Sequence, residues 1–405
     1  MAKKPRRDLS VQEQLARGPL DLPFLMLTML LLGIGLIMMF SASYATAYYD
    51  PEVSTPLFYI IRQSLFAAAG VAIMYFVSRI DYQTFRWLAI PLLILSILLL
   101  VLVLIPGVGV RINGAQRWLR MAIVFGPTYQ PSEIVKVAVI LFFASRLFKR
   151  DSQKKRKFTK RTTTGRALNF LEKIGFLELL PYGLILLLIA GLMLKEPHMS
   201  GTILVLAGGA AVLFAAGIHM GWFVAGISFV GSALWLIITA TPYMTSRINL
   251  WRDPWSDPLG KGFQTIQSLL AIGSGGLLGL GFGKSRQKFL YVPEPENDFV
   301  FPIVVEELGF IGGTIVIVLF MLLILRGYWL ALHARDKFGT LTIVGITTLL
   351  AVQVFLNIGV VTNLIPNTGI SLPFFSYGGT ALMIQLAEMG IILSVSRQIP
   401  APKND

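Results

Sequence analysis

The sequence lacks cysteine, and its 405 residues include only three histidines, which lie far apart at His198, His219 and His333. The missing thiols exclude disulfides, zinc–thiolate sites and cysteine nucleophiles. The scattered histidines lack the close spacing of a histidine-built metal site. Charged residues are scarce as well, at 14% of the chain, where a soluble domain has roughly 25%. A soluble domain is therefore excluded.

Long apolar runs fill the sequence instead: hydrophobic residues make up 55% of it, and the mean hydropathy is +0.70. Because a run of about 18 apolar residues suffices to cross a bilayer as a helix, the pattern predicts an all-α polytopic membrane protein with about ten transmembrane helices. The first run is longer than the roughly 7–15 residues of a signal-peptide core, so we expect a retained helix. The ten predicted spans lie near 22–40, 57–78, 87–105, 132–148, 176–194, 200–217, 221–240, 300–325, 341–361 and 380–396.

Basic residues are concentrated in a few segments, and the net charge is +14. The N-terminal tail, 1–21, holds five Lys and Arg residues and the loop 146–175 holds eleven, which places both in the cytoplasm by the positive-inside rule. With ten spans the C-terminal tail, 398–405, is cytoplasmic too, and 241–299 forms a large external loop between spans seven and eight. Since no nucleic-acid-binding motif accompanies the charge, we expect contacts with membrane lipids and no nucleic acid.

The stretch 262–283 within that loop allows two interpretations. It is apolar enough for a further span, but it contains seven glycines, which disfavour an isolated helix. A further span would also move three basic residues, Arg326, Arg335 and Lys337, to the outside. We therefore expect an external loop that dips into the membrane or lies on it, shielded by protein.

Ionisable residues inside apolar spans are costly and are functional candidates by default. Glu133 and Lys136 are three residues apart on one face of a predicted helix, so we expect an ion pair that supports the fold or a substrate groove. Glu388 lies deep in the last predicted span and needs a partner that the sequence does not identify. The remaining candidates are Arg62, Glu306 and Glu307.

Asp298 ends the external loop, immediately before an aromatic and apolar helix start. One interpretation is a helix N-cap, in which the carboxylate accepts hydrogen bonds from the first amides of the helix. The other is a partly desolvated carboxylate with a raised pKa, suited to proton abstraction. The two interpretations are not exclusive.

A series of short motifs, taken in order, resembles the SEDS family of bacterial polytopic membrane proteins, which includes FtsW, RodA and SpoVE. The series runs from about residue 22 to 397, and the segments 257–260 and 374–379 favour the FtsW/SpoVE branch. The matching motifs are Gly114-Ala115-Gln116-Arg117-Trp118, Gln130-Pro131-Ser132-Glu133 with Lys136, Gly262-Phe263-Gln264 with Gln267-Ser268, Pro293-Glu294 through Asp298-Phe299-Val300-Phe301, Glu306-Glu307-Leu308-Gly309, Pro366-Asn367-Thr368-Gly369 and Pro373-Phe374-Phe375-Ser376-Tyr377-Gly378-Gly379.

Two segments depart from the family pattern. The family usually has His-Thr before the loop aspartate, where this chain has Glu296-Asn297. At the turn between spans five and six the family often reads Gln-Pro-Asp-x-Gly-Thr, where this chain reads Glu196-Pro197-His198-Met199-Ser200-Gly201-Thr202. The assignment of Asp298 survives, since Pro293-Glu294 and Phe299 fix its position in the motif.

The resemblance implies a single SEDS-type transmembrane domain over 22–397 that acts as a peptidoglycan glycosyltransferase. Such enzymes polymerise lipid II, a disaccharide-pentapeptide on undecaprenyl pyrophosphate, at the outer face of the bacterial cytoplasmic membrane. They work beside a class B penicillin-binding transpeptidase. The resemblance singles out Asp298 as the catalytic residue.

The implied reaction is chemically undemanding. It inverts the sugar, because an α-linked donor gives a β-linked product, so one general base suffices. The pyrophosphate leaves readily but needs positive charge, from basic side chains or from a divalent cation such as Mg²⁺ or Mn²⁺. The substrate-binding candidates are Arg117, Trp118, Glu133, Lys136, Lys284, Arg286 and Lys288.

Two other functions stay open at this stage. In a lipid flippase or transporter, Glu133, Lys136 and Glu388 would line a path, although the sequence lacks the internal repeat that is common in transporters. In a non-catalytic scaffold for division proteins, an intact Asp298 would be unnecessary.

Overall fold

The computed structural model describes the chain from residue 18 to 399, apart from 52, 54, 113–114, 121–127, 151–174, 241 and 261. Most of the basic loop 146–175 and of both predicted tails lies outside the described residues. The described helices are α1 (Leu22–Tyr49), α2 (Phe58–Arg79), α3 (Tyr82–Leu104), α4 (Ser132–Arg150), α5 (Phe176–Lys195), α6 (Met199–Ala215), α7 (Met220–Ala240), α8 (Pro242–Arg252), α9 (Phe263–Ser274), α10 (Val300–His333), α11 (Lys337–Val361) and α12 (Gly379–Ser396).

Each of the ten predicted spans falls on one of these helices. Seven of the described helices are long and apolar enough to cross a membrane, namely α1, α2, α3, α5, α10, α11 and α12. The other three predicted spans lie on α4, α6 and α7. The prediction of an all-α polytopic membrane protein is confirmed, with a small sheet as the one addition.

Three of the helices begin at aspartates that cap them. Side-chain oxygens of Asp21, Asp81 and Asp336 accept hydrogen bonds from first-turn amides of α1, α3 and α11, at 2.9, 3.0 and 2.8 Å. Each carboxylate thereby satisfies an amide that has no partner within its helix, and it stabilises the positive end of the helix dipole.

The same aspartates gather the helix ends into one face, which we call the terminal face. Asp21 Oδ2 accepts a hydrogen bond from Arg326 Nη2 at 2.5 Å, and Asp81 Oδ1 accepts one from Gln398 Nε2 at 2.9 Å. The backbone N–H of Gly18 donates to the carbonyl of Arg397 at 2.9 Å. Both ends of the described chain therefore lie on this face, as an even number of spans requires.

The opposite face, which we call the loop face, holds the segments between the other helix ends. The sheet lies here, with strands β1 (Gly109–Ile112), β2 (Ala115–Arg120) and β3 (Thr128–Tyr129) in antiparallel order β1-β2-β3. Gln116 Nε2 donates to the carbonyl of Val103 at 2.7 Å, which anchors β2 to the end of α3.

The loop 241–299 is more ordered than the sequence indicated, because it contains α8, a 3-10 turn (Pro254–Ser256) and α9. The 12 residues of α9 reach only about 18 Å as a helix, against the roughly 30 Å of a bilayer core. The loop face holds it in place, where Ser268 Oγ donates to the carbonyl of Val361 at 2.6 Å. Helix α9 is therefore not a further span.

After α9 the chain packs against a break in α10. Gly309 has φ 73°, which interrupts the helix and frees backbone groups on both sides of it. The N–H groups of 280–281 donate to the carbonyls of 306–307 at 2.9 and 3.0 Å, and those of 310–311 donate to the carbonyls of 276–277 at 2.8 and 3.2 Å. The segment thus lies about 10–16 Å along α10 from its first residue. This is the dipping, protein-shielded arrangement that was one of the two expectations for the loop.

Candidate active site

Asp298 is held at the loop face through its backbone. Asn357, which is buried on α11, donates from Nδ2 to the carbonyl of Asp298 at 2.9 Å and to the carbonyl of Ile370 at 2.6 Å. The neighbouring carbonyl of Glu296 accepts a hydrogen bond from the N–H of Tyr377 at 2.7 Å. These contacts pin the end of the external loop to the segment between α11 and α12.

The carboxylate of Asp298 does not cap α10. The capping position is Phe299, and no side chain makes a capping hydrogen bond there. Within the described part of the chain, the Asp298 carboxylate has no hydrogen-bond or ion-pair partner, and it rests against Gly369, whose φ is 65°. A Cβ at Gly369 would lie 3.2 Å from Asp298 Oδ2. The N-cap interpretation was wrong, and the carboxylate is left available for another partner.

The surroundings of Asp298 make it a stronger base than an ordinary aspartate. Burial and the charge of Glu294 raise its pKa, the charge of Arg117 lowers it, and the net result is a pKa of about 6. Such a carboxylate is still largely ionised at neutral pH, and it takes up a proton more readily than a solvated one.

Arg117 lies on strand β2, and its charge acts on Asp298. Its Nε donates to the carbonyl of Glu196 at 3.4 Å, and its Nη2 donates to the carbonyl of Pro197. The turn between α5 and α6, where the sequence departs from the family pattern, therefore positions the cation whose charge acts on Asp298. Trp118, the next residue of β2, is half-buried and pairs with Val110 across the sheet.

The same turn buries two titratable side chains. Burial raises the pKa of Glu196 to about 8, and the charge of Arg117 opposes this rise. Burial lowers the pKa of His198 to about 3, with smaller effects from Arg117 and Lys136. Glu196 is therefore mostly protonated and His198 uncharged at neutral pH, so neither cancels the charge of Arg117.

Lys288, a predicted substrate-binding residue, uses its ammonium group for contacts within the protein. It is only 4% exposed, and its ammonium donates to Ser41 Oγ at 3.1 Å, to the carbonyl of Gly283 at 2.8 Å and to Glu307 Oε1 at 3.0 Å. An ammonium has three donors, so none is left for a phosphate. The contacts of Lys288 therefore give no support to its predicted role in substrate binding, because the fold brings Glu307 to it.

Glu306 and Glu307 hold the turn 285–288 against α10. Glu306 accepts hydrogen bonds from Ser285 Oγ at 2.5 Å and from the N–H of Arg286 at 2.9 Å. Glu307 accepts from Ser41 Oγ at 2.7 Å, which adds α1 to the cluster. Both carboxylates are fully buried, and their hydrogen bonds offset the cost of that burial. Lys284 and Arg286, by contrast, are exposed on the turn.

Glu133 and Lys136 form the ion pair that their spacing indicated, with Glu133 Oε2 2.7 Å from Lys136 Nζ. Lys136 is buried, and both charges act on Glu388 of α12, which is 5% exposed. The fold therefore brings this pair near Glu388, for which the sequence identified no partner. Glu133 also lines a cavity of about 30 Å³ beneath the segment 371–378.

Comparison with known proteins identifies the family. The family model of FtsW, RodA and SpoVE, described as cell cycle protein, matches residues 22–400. Stage V sporulation protein E of Bacillus subtilis (strain 168) is 44% identical over 378 residues, which cover 93% of this chain and 97% of that protein. The chain belongs to this family.

Other members of the family and solved structures also resemble this chain. A probable peptidoglycan glycosyltransferase FtsW of Geobacter metallireducens is 38% identical over 380 residues, covering 94% of this chain and 95% of its own. A chain from a peptidoglycan synthase complex, solved to explain the coordination of polymerization and crosslinking, matches with a TM-score of 0.70 at 30% identity, over 93% of this chain and 98% of that one. Thermus thermophilus RodA matches with a TM-score of 0.63 at 28% identity, over 94% and 97%. The predicted FtsW/SpoVE branch is confirmed.

Sequence reasoning missed the residues that position Asp298 in this family member. Asn367 Nδ2 donates to Gln264 Oε1 at 3.0 Å, and Asn367 Oδ1 accepts from the N–H of Gly369 at 3.1 Å. Gln264 and Asn367 lay in recognised motifs, but no pattern indicated that they meet. Asn357 lay in no motif, and its signal was only that of a polar amide inside an apolar span.

Proposed function

We propose that this family member polymerises lipid II into glycan strands at the outer face of the bacterial cytoplasmic membrane, with Asp298 as the general base. The predicted class, a peptidoglycan glycosyltransferase of cell division or sporulation, is confirmed at that level by the names of its relatives. The observation that carries the catalytic assignment is the Asp298 carboxylate, which has a raised pKa, no hydrogen-bond or ion-pair partner among the described residues, and the charge of Arg117 acting on it.

The reaction would proceed by direct displacement. The Asp298 carboxylate takes the proton of the acceptor hydroxyl, and the hydroxyl oxygen attacks the anomeric carbon of the donor. The bond between that carbon and the diphosphate breaks, and the diphosphate leaves with the electron pair. Arg117 stabilises the charge that develops on the leaving group, and Asp298 then releases its proton to water.

The charge pattern supports an active site on the outer side of the membrane. The terminal face carries the ends of the segments that the positive-inside rule assigns to the cytoplasm, and Asp298 lies on the opposite face. Membrane-linked substrates displayed outside the cell would therefore meet Asp298 directly. Trp118 and the Glu133–Lys136 pair would support the substrate groove from neighbouring elements.

A class B penicillin-binding transpeptidase is the expected partner. The similar chain from a peptidoglycan synthase complex was described together with crosslinking, and a polymerase that releases glycan strands needs a crosslinking enzyme close by. The large exposed apolar surface of the described helices leaves room for such a partner within the membrane.

A divalent cation was the other predicted source of positive charge. Among the described residues, no group of three or more His, Cys, Asp or Glu side chains could hold a metal ion. Mg²⁺ is usually held by one or two carboxylates together with substrate phosphates, so a divalent cation stays a prediction, and the chemistry proposed here does not pass through one. Arg117 fills the electrostatic role.

The test is polymerisation of purified lipid II by the purified protein and by an Asp298→Asn variant. The variant keeps the shape of the side chain and removes the base, so we expect polymerisation to fall about 10²-fold or more. Its thermal stability should not fall, because the native structure disfavours the charge that the substitution removes. Near-normal polymerisation by the variant would reject Asp298 as the base, and no product from the wild-type protein would favour a flippase or a scaffold.

A further inference from the structure

The proposed function, on which this inference rests, joins two substrates that each carry a lipid diphosphate. The donor loses its diphosphate at the carbon where the new bond forms, so that group must lie close to Asp298. The acceptor keeps its diphosphate, which lies at the end of the disaccharide opposite to the reacting hydroxyl. An active site for this reaction therefore needs two phosphate-binding places, separated by about the length of a disaccharide.

Arg117 satisfies the requirement for the donor. Its charge acts directly on Asp298, and two backbone carbonyls of the α5–α6 turn fix its guanidinium. Because its charge reaches Asp298, it would also act on a diphosphate attached to the reacting carbon.

Lys284 and Arg286 satisfy the requirement for the acceptor. Both are exposed and separated by one residue, and neither pairs with an acid in the described part of the chain. The turn that carries them is rigid, since Glu306 and Glu307 bind its backbone and Lys288. Two unpaired cations on a fixed turn match the charge of a diphosphate better than that of a phosphodiester.

The turn that carries Lys284 and Arg286 lies further along α10 than Asp298 does. The N–H of Arg286 donates to Glu306 Oε1, and the N–H of Gly281 donates to the carbonyl of Glu307. Glu307 lies seven residues after Val300, or about 10 Å further along α10 than the end of the loop that carries Asp298. The displacement is toward the membrane interior, where the lipid of an acceptor must enter while its sugars rise toward Asp298.

An apolar surface continues from the two cations. Leu277 and Leu278 are 69% and 80% exposed, and Phe310 of α10 is 64% exposed. They are neighbours because the N–H of Phe310 donates to the carbonyl of Gly276 at 2.8 Å. A prenyl chain attached to a diphosphate at Lys284 and Arg286 could lie along this surface.

We propose that Lys284 and Arg286 bind the diphosphate of the acceptor, with its prenyl chain along Leu277, Leu278 and Phe310, while the donor diphosphate binds at Arg117. Arg117 thus binds the diphosphate of one substrate, and Lys284 and Arg286 bind that of the other.

Two modified substrates separate the roles. A lipid II analogue with a blocked distal hydroxyl can act only as donor, and one with a non-cleavable phosphonate at the anomeric carbon can act only as acceptor. We expect the double variant Lys284→Gln/Arg286→Gln to raise the KM of the acceptor-only analogue at least about tenfold, the order expected for two lost charge–phosphate contacts. The KM of the donor-only analogue should change less than about twofold.

The control is Lys195→Gln/Arg252→Gln, which removes two exposed cations from helix ends on the same face. It should leave both KM values unchanged, and thermal stability should match the wild type in both variants. The proposal is overturned if the Lys284/Arg286 variant changes neither KM, changes both equally, or changes only that of the donor. If the wild-type protein couples no pair of analogues and does not polymerise lipid II, the proposed function itself has failed.

Discussion

Asn357 donates from one side-chain amide to the carbonyl of Asp298 and to the carbonyl of Ile370, at 2.9 and 2.6 Å. A single buried side chain on α11 therefore joins the loop that carries the proposed base to the segment against which its carboxylate rests. The position of the Asp298 carboxylate beside Gly369 depends on this link, since no side chain among the described residues bonds the carboxylate itself.

Asn357→Leu should lower both stability and activity. It leaves two buried carbonyls without a donor, which costs about 1–3 kcal/mol for each unsatisfied group. It also frees the Asp298 backbone, so polymerisation per folded molecule should fall at least about tenfold, as misplacement of a catalytic group does. Thermal unfolding and lipid II polymerisation measure the two effects.

Gln353→Leu provides the matched control for Asn357. Gln353 lies one turn earlier on α11 and donates to the carbonyl of Ser371 at 3.1 Å, but it does not bond Asp298. We expect a comparable loss of stability with a smaller loss of activity. Equal losses of activity in the two variants would show that Asn357 acts only through the fold.

Lys288→Met should destabilise the protein, whereas Lys284→Met should not. Lys288 pairs with Glu307 at 3.0 Å where both are buried, and removing one partner of a buried pair costs about 3–5 kcal/mol. Lys284 is exposed and its substitution should change stability by about 0.5 kcal/mol or less. Thermal unfolding of the two variants, purified in parallel, distinguishes them, and equal midpoints would contradict the structural role of Lys288.

The different roles of these two lysines could not be predicted from the sequence. Hydropathy placed the ten helices, because a span must be apolar over a length that the bilayer sets. The family motif around 293–301 identified Asp298 as the candidate base. Lys284 and Lys288 look alike in the sequence, however, and only the packing of 275–288 against α10 gives one of them the buried partner Glu307.

The cap interpretation of Asp298 failed for a similar reason. An aspartate just before a helix usually caps it, but here the capping position falls on Phe299. Asn357 holds the backbone of Asp298, and the carboxylate lies against Gly369. The pair Glu133–Lys136 was predictable because helical spacing alone brings the two residues together. Contacts within one element could be read from the sequence, whereas contacts between elements could not.

Exchanging the charges of Glu133 and Lys136 tests whether their role is structural. Glu133→Lys and Lys136→Glu each place two like charges together in a buried region, so each should reduce folded protein and activity strongly. The double variant restores a pair of opposite charges and should recover more activity than either single variant. Recovery would be incomplete because Glu388 also responds to both charges. A double variant no better than the singles, by polymerisation and yield of folded protein, would contradict the pairing role.

The pH dependence of the reaction should report the ionisation of Asp298. A general base works only when deprotonated, and the pKa of Asp298 is raised to about 6. The carboxylate is therefore about 90% ionised at pH 7 and only about 10% at pH 5. The kcat/KM for lipid II should fall about tenfold for each pH unit below the pKa and level off above it.

The fall of kcat/KM at low pH is the acid limb of the pH profile, and two substitutions should move it in opposite directions. The charge of Arg117 lowers the pKa of Asp298, so Arg117→Gln should raise that pKa and move the limb to higher pH. The charge of Glu294 raises the pKa, so Glu294→Gln should move the limb to lower pH. Arg117→Gln also removes the proposed donor contact and should lower the plateau of kcat/KM, but a change in plateau does not move the midpoint of the limb.

Profiles of kcat/KM against pH for the wild-type protein and the two variants provide the measurement. Midpoints that stay together, or that shift in the same direction, would mean that the titrating group is not the carboxylate of Asp298, because Arg117 and Glu294 act on the pKa of that carboxylate in opposite directions.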